Sequence, residues 1–141
     1  YLDGMCKVAN DVAYGSIWEC YAPDAYRPAT TEYNTLSRDE FVGWSGIAPI
    51  TMLIENIIGL EFDAHKNQVT FRLNNREKCG IENMIFNSNL VSIVCTEYHP
   101  FKGQTTVKVE AQKPFKLKVV TKYLWYPVEI DVPKGQSVFK I

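Results

Sequence analysis

Apolar and polar residues recur with two different periods along the chain, and the change of period falls near residue 61. Before it, apolar residues return every three or four positions, as on one face of an α-helix. This spacing predicts helices over 1–14 and 44–60, with Gly15 and Gly59 at their C-terminal ends. The second helix is apolar over more than half of its circumference, so we expect it to need neighbours on several sides.

From residue 61 onward apolar and polar residues alternate, which is the period of a half-buried β-strand. Six or seven such segments follow one another with short connections, at 69–73, 81–86, 90–95, 105–111, 115–119, 128–132 and 137–141. Asn87-Ser88-Asn89 separates two of these runs and predicts a tight hairpin, because its residues accept positive φ. The prediction is an α+β chain whose second part is an antiparallel sheet or small β-sandwich.

The segment 22–40 between the two helices has no regular period and is rich in turn-forming residues. A loop of this length is unusual in a compact domain, which favours a functional segment. Its larger side chains combine aromatic rings with charged groups, as sugar sites do: Tyr26, Arg27, Glu32 and Tyr33. For any one of them, an ordinary loop position packed against the body is an equally good interpretation.

Composition excludes several classes of function. The 141 residues carry a net charge of −1, which argues against general nucleic-acid binding. The charge is uneven, at −7 over 1–63 and +5 over 100–141, and alternating lysines on strands are typical of solvated sheet faces. The longest apolar run, 47–60, contains Thr51, Glu55 and Asn56 and is too short to span a bilayer, so no membrane is expected.

The cysteines and histidines do not predict a metal site. No Cys-x-x-Cys pair or Cys/His ligand spacing occurs among Cys6, Cys20, Cys79 and Cys95. In an exported protein four cysteines could pair in three ways, but each stands beside apolar residues, which favours buried free thiols. We expect no metal and no cofactor.

Two short motifs are the candidates for chemistry. The first is Tyr14-Gly-Ser-Ile-Trp-Glu-Cys-Tyr-Ala-Pro23, in which Glu19 lies between aromatic residues. A carboxylate in such a setting is partly desolvated, which favours proton transfer near neutral pH. The second is Phe41-Val-Gly-Trp-Ser-Gly-Ile-Ala-Pro49, in which Trp44 stands between two glycines at a helix entrance, an arrangement that lets backbone approach a ligand. Taken alone, Glu19 is as well explained as a surface acid beside a core tryptophan.

Together the two motifs resemble the C-terminal end of the (α/α)6-barrel glycoside hydrolases of the trehalase, processing α-glucosidase and mannosylglycerate-hydrolase-like group. In that group a Trp-Glu pair followed by Tyr carries one catalytic carboxylate, and Gly-Trp-Ser-Gly precedes the last barrel helix. The resemblance covers about residues 1–60, and 61–95 resembles the β appendage that follows the barrel in some members. It implies that 1–60 is the C-terminal segment of a helical-barrel catalytic domain and that 61–141 is an antiparallel β domain.

The resemblance also implies a reaction, inverting hydrolysis of an α-glycoside. Glu19 would be the general base that activates water, and the acid that protonates the leaving oxygen would lie upstream of Tyr1. The substrate-binding residues would be Trp18, Tyr21 and Trp44 as walls, Gly43 as a point of close backbone approach, and Arg27. The fragment alone is then expected to be inactive, with a carbohydrate as partner and either a second copy or the missing N-terminal barrel portion covering its apolar helix.

Two other interpretations stay open. The β half could be a carbohydrate-binding or structural module without catalysis, with an aromatic platform formed by Tyr98, Phe101, Tyr123, Trp125 and Tyr126. The same rings could equally belong to a core. The chain could also be a truncated, inactive gene product.

Overall fold

The computed structural model describes residues 3–4, 7, 18, 20–23, 27–33, 43–73, 77–99, 105–122 and 126–141. The chain forms two compact units, 1–53 and 54–141. In the first unit, Asp3, Gly4 and Lys7 are helical, and the rest of the predicted helix 1–14 lies outside the described residues. The predicted domains 1–60 and 61–141, and the roles that we assigned to them, stay predictions.

The second predicted helix forms, but not as one regular α-helix over 44–60. Helix α1 spans Gly43–Thr51 and continues directly as a π-helix over Met52–Ile58. Pro49 lies inside α1, where it has no N–H to donate to the preceding turn, and the wider π-turns begin within three residues of it. The π-helix ends where Gly59 N donates to Ile54 O at 2.9 Å. Within the described part of the chain, no helix is long and apolar enough to cross a membrane.

The second unit is built from strands. Its eight described strands are β1 (Leu60–Asp63), β2 (Gln68–Arg72), β3 (Cys79–Phe86), β4 (Asn89–Glu97), β5 (Thr106–Ala111), β6 (Phe115–Val120), β7 (Val128–Val132) and β8 (Gly135–Lys140). Every segment with period-two alternation became a strand, and the predicted hairpin is confirmed, with φ of 50° at Asn87 and 56° at Ser88. Strand β1 was missed because it is only four residues long and begins at Leu60, which we had predicted as the last residue of the helix.

The strands form two four-stranded sheets, in the orders β1-β2-β6-β7 and β3-β4-β5-β8. The second sheet is antiparallel throughout. In the first, β2 and β6 are parallel, with Gln68 opposite Lys116 and Arg72 opposite Val120. The predicted purely antiparallel arrangement is therefore wrong at this pair.

Alternation along the strands builds a single hydrophobic core from both sheets. Fully buried side chains come from β2 and β6 on one side and from β4 and β5 on the other: Val69, Phe71, Leu117, Val119, Val91, Ile93, Cys95 and Val107. Because residues of both sheets share one buried cluster, the unit is a β-sandwich. The ring of Phe86 contacts those of Phe62 and Phe115, at centroid distances of 5.5 and 6.4 Å respectively.

The predicted fold class, two helices from the end of an (α/α)6 barrel followed by a sheet, is wrong. The described part of the chain is mostly β-strand, and its regular α-helix is the nine-residue α1. Nine residues give about 13 Å of helix, too little for a layer of such a barrel. The helical period in 44–60 predicted an element of the right type, but the barrel that the resemblance of the two motifs implied is not the architecture of this chain. The β-sandwich alternative for the second part is compatible with the structure.

Candidate functional site

Two of the predicted sugar-binding residues, Trp18 and Tyr21, contact each other in the first unit. The backbone N–H of Trp18 donates a hydrogen bond to the Tyr21 hydroxyl at 3.0 Å. Both side chains are half-buried. Glu19, the predicted base, lies between them in sequence but outside the described residues. The contact therefore places the two ring-bearing neighbours of Glu19 together.

A short backbone closure holds this pair. Residues 20–22 run antiparallel to 27–29, with Tyr21 bridged to Pro28 and two bonds of 3.0 Å, from Ala22 N to Arg27 O and from Ala29 N to Cys20 O. Prolines 23 and 28 lack an N–H and fix their own φ, so they favour a turn between the two arms. The predicted long loop 22–40 thus begins as a closed turn, and the described stretch after it, up to Tyr33, is exposed.

Trp18 carries an unusual polar group. Its indole Nε1 is buried and has no hydrogen-bond partner among the described residues. A buried N–H without an acceptor costs roughly 1–3 kcal/mol, and most such groups in folded proteins are satisfied. The described residues thus leave one buried donor unsatisfied beside the Trp18–Tyr21 contact.

The structure gives less support to the remaining predicted sugar-binding residues. The Arg27 guanidinium is exposed and donates to Pro28 O at 3.2 Å and Thr30 Oγ1 at 3.3 Å, so it stabilises the turn. Gly43 and Trp44 are the first two residues of α1. The side chain of Trp44 does not belong to the described part. The roles of Gly43 and Trp44 in a sugar site stay predictions.

A second candidate site lies in the β-sandwich, on the outer face of the sheet β3-β4-β5-β8. It is a cleft with a volume of about 320 Å³, the lower end of the range for small-molecule sites. We call it the outer cleft, and it is lined by Lys78, Glu82, Ser92, Val94, Thr96, Lys108, Val109, Glu110, Gln136, Ser137 and Val138.

Strand register explains the order of groups across the outer cleft. One row crosses three strands as Ser92, Glu110 and Gln136, and the next as Val94, Lys108 and Val138. Glu110 accepts a hydrogen bond from Gln136 at 3.3 Å. Among the described residues, the side chains of Lys78, Glu82 and Lys108 make no hydrogen bond or ion pair. The cleft thus offers two ammonium groups, carboxylates and hydroxyls on one surface, with no aromatic ring among its lining residues.

The outer cleft was missed because its lysines and glutamates alternate with core residues, a pattern that we interpreted as a solvated face. The hydroxyl residues Ser92 and Thr96 on the solvent side of β4 were the available signal. Of the rings in the predicted aromatic platform, Tyr98 packs against the core, and the platform as a whole stays a prediction. Tyr126 is 82% exposed, and the other three rings of the platform lie outside the described residues.

Across the residues that the structure describes, no group of three or more His, Cys, Asp or Glu side chains is placed to hold a metal ion.

Comparison with known proteins assigns no function to this chain. No protein-family profile matches it, and no solved structure matches it. Over 101 residues the chain is 30% identical to an uncharacterized protein of Borreliella burgdorferi, a stretch that covers 70% of this chain and 21% of that protein. The chain therefore spans about a fifth of the length of the curated relative that it matches.

Proposed function

We propose that the chain is the C-terminal portion of an inverting glycoside hydrolase that acts on an α-glycoside, with Glu19 as the general base. The observation that carries the proposal is the arrangement on both sides of Glu19. Trp18 has a buried indole N–H that lacks an acceptor among the described residues, and its backbone N–H binds the Tyr21 hydroxyl. A sugar hydroxyl is an acceptor of the kind that this N–H requires.

The proposed chemistry assigns a separate task to each group. Glu19 accepts a proton from the water that attacks the anomeric carbon, while a second carboxylic acid protonates the leaving oxygen. In inverting enzymes the two carboxyl groups are about 6.5–9.5 Å apart. Trp18 and Tyr21 orient the sugar beside Glu19. The second acid belongs to the remainder of a longer protein, and the much greater length of the Borreliella relative is consistent with this.

The test compares the isolated chain with its full-length parent on a panel of α-glycosides. The parent is expected to release sugar whose anomeric configuration is inverted, as seen by NMR at early times. The isolated chain is expected to release none, because it lacks the general acid, which typically contributes about 10²–10⁴-fold. Turnover by the isolated chain, or retention of configuration by the parent, would contradict the proposal.

Exposed apolar side chains on α1 and just after it are the basis for proposing a partner of the chain. Ile47, Ile50 and Leu53 are 61%, 58% and 44% exposed. We propose that a second copy or another part of the parent protein covers them, because contiguous exposed apolar side chains mark interfaces. Light scattering of the isolated chain at micromolar concentration should show a dimer or larger species. A monomer that binds no hydrophobic dye would contradict this.

The outer cleft favours a second candidate function, a carbohydrate-binding module without catalysis. Sugar hydroxyls both donate and accept hydrogen bonds, so they suit a surface where ammonium groups stand beside carboxylates and hydroxyls. The opposed charges of Lys108 and Glu110 do not favour a polyanion. Without a stacking ring in the cleft, affinity would rest on hydrogen bonds and is expected to be weak.

Titration of the isolated chain with α-linked oligosaccharides, followed by NMR, tests this second function. Lys108→Ala is expected to raise the dissociation constant about tenfold, the effect of losing one hydrogen bond to a charged group. Lys116→Ala is the matched control, because Lys116 is an exposed lysine of β6 in the other sheet. Equal effects of the two variants, or no binding by the unmodified chain, would leave the sandwich as a structural module.

A further inference from the structure

We propose that Cys79 and Cys95 form a modification site at which a small-molecule disulfide oxidises the chain and links strands β3 and β4. The two residues lie directly opposite each other in the antiparallel register of these strands. Side chains of directly opposed residues project from the same face of a sheet. Here that face is the core side, since Cys95 belongs to the buried cluster and Cys79 packs against it. Both thiols are free in the structure.

The Cα spacing of directly opposed residues in an antiparallel pair of strands is compatible with a disulfide bond. Directly opposed residues have Cα atoms about 4.5 or 5.5 Å apart, and both values fall in the range of about 4.4–6.8 Å found for disulfides. Cβ atoms in such pairs are about 4.5–5.5 Å apart, whereas a disulfide requires about 3.5–4.5 Å. Bond formation therefore draws the two strands slightly closer at this point.

The backbone next to the pair is already close. Gly80 follows Cys79 and lies opposite Val94. A Cβ added to Gly80 would collide with the Ile93 carbonyl oxygen and would lie 2.6 Å from the Val94 Cα. The absence of a side chain at Gly80 thus lets β3 keep its pairing with β4 next to Cys79.

The two thiols differ in accessibility, and this difference decides which of them reacts first. Cys95 is fully buried, and its Sγ–H donates to Glu97 O at 3.6 Å. Cys79 is half-buried and belongs to β3, the edge strand of its sheet. Burial raises the pKa of Cys79, and burial together with the neighbouring Cys79 raises the pKa of Cys95 to about 11. Since the thiolate is the nucleophile, the reaction is expected to be slow near neutral pH and to begin at Cys79.

The reaction balances with one equivalent of a small disulfide such as oxidised glutathione. The Cys79 thiolate attacks one sulfur of the reagent, which leaves a mixed disulfide on Cys79 and releases one thiolate. The Cys95 thiolate then attacks the Cys79 sulfur and releases the second thiolate. In total, two protein thiols are oxidised to one disulfide, and one small disulfide is reduced to two thiols.

The bond would tie the edge strand to an interior strand and close the segment that contains the Asn87-Ser88 turn. A cross-link of this kind restricts the unfolded chain, which stabilises the folded state. The oxidised chain is therefore expected to unfold at a temperature higher by about 5 °C or more than the reduced chain.

The experiment uses the chain with Cys6 and Cys20 replaced by serine, incubated with oxidised glutathione. Intact mass should fall by two hydrogen atoms, peptide mapping should link the segments that contain Cys79 and Cys95, and reduction should reverse the rise in unfolding temperature. Adding Cys79→Ala is the matched control and should abolish both the link and the rise. The peptide mapping of the linked segments remains a test of the proposal even if the Cys79→Ala variant does not fold.

Three outcomes would overturn the proposal. The first is a stable glutathione adduct on Cys79 with Cys95 still alkylatable after unfolding. The second is a disulfide that joins two chains rather than two strands. The third is an internal link between Cys79 and Cys95 that leaves the unfolding temperature unchanged.

Discussion

Replacing Glu19 with glutamine in the full-length parent is expected to lower turnover by about 10²-fold or more, with little change in substrate binding. Glutamine keeps the size and most hydrogen-bonding atoms of glutamate but cannot accept the proton from the attacking water. The lost interaction matters mainly in the transition state, so the effect appears in kcat. Steady-state kinetics on the best α-glycoside of the panel measures it.

Glu129→Gln is the matched control for this prediction. Glu129 is an exposed glutamate of β7 and belongs to neither candidate site, so its substitution should leave kcat unchanged within about twofold. Trp44→Ala should behave differently from both, because loss of a stacking ring raises KM along with any fall in kcat. If Glu19→Gln leaves turnover within about threefold and lowers stability instead, Glu19 is a structural carboxylate.

Gly59→Ala is expected to destabilise the β-sandwich by about 3 kcal/mol or more, for two separate reasons. Gly59 has a φ of 91°, a conformation that side chains with a Cβ rarely adopt. An added Cβ would also collide with the Arg72 carbonyl oxygen and lie 3.1 Å from the Arg72 carbonyl carbon. Neither atom can move freely, because Arg72 N donates to Gly59 O at 2.7 Å where β1 meets β2. Urea unfolding followed by circular dichroism measures the loss.

Gly135→Ala separates the two causes. Gly135 has a φ of 102°, but no heavy atom lies within 4 Å of an added Cβ. Only the backbone strain remains, so the expected loss is about 1–2 kcal/mol. If both variants lose the same stability, the contact with Arg72 is not what restricts position 59.

The candidate site was only partly predictable. Trp18 and Tyr21 were chosen from a motif, and the structure brings them together because the turn 20–29 is closed by local backbone bonds. Arg27 was chosen for its charge, but its guanidinium donates hydrogen bonds to two neighbouring oxygens. Only the folded turn reveals these bonds. The outer cleft was not predictable from any one strand, since its rows are assembled across β4, β5 and β8.

The helix shows how a correct local pattern led to a wrong architecture. The period in 44–60 reports which positions are apolar, and α1 with its π-helix does form there. Ile54 and Ile58 pack against the core of the sandwich, while Ile47 and Ile50 stay exposed. The barrel was implied by the resemblance of two short motifs, and the apolar circumference of the helix predicted only that it needs neighbours. A local period does not specify which element covers an apolar face.

The sequence by itself determined the positions of seven of the eight described strands and the hairpin at Asn87-Ser88, because alternation and turn chemistry act between neighbours in the chain. It also determined that residues such as Val107 and Leu117 face a core. Only the tertiary structure decided which strands pair, including the parallel pair β2–β6, and that Cys79 meets Cys95. The parallel pair joins strands that are far apart in the chain. The pairing of Cys79 with Cys95 depends on a register shift between Ile81 and Met84, so neither contact follows from a local period.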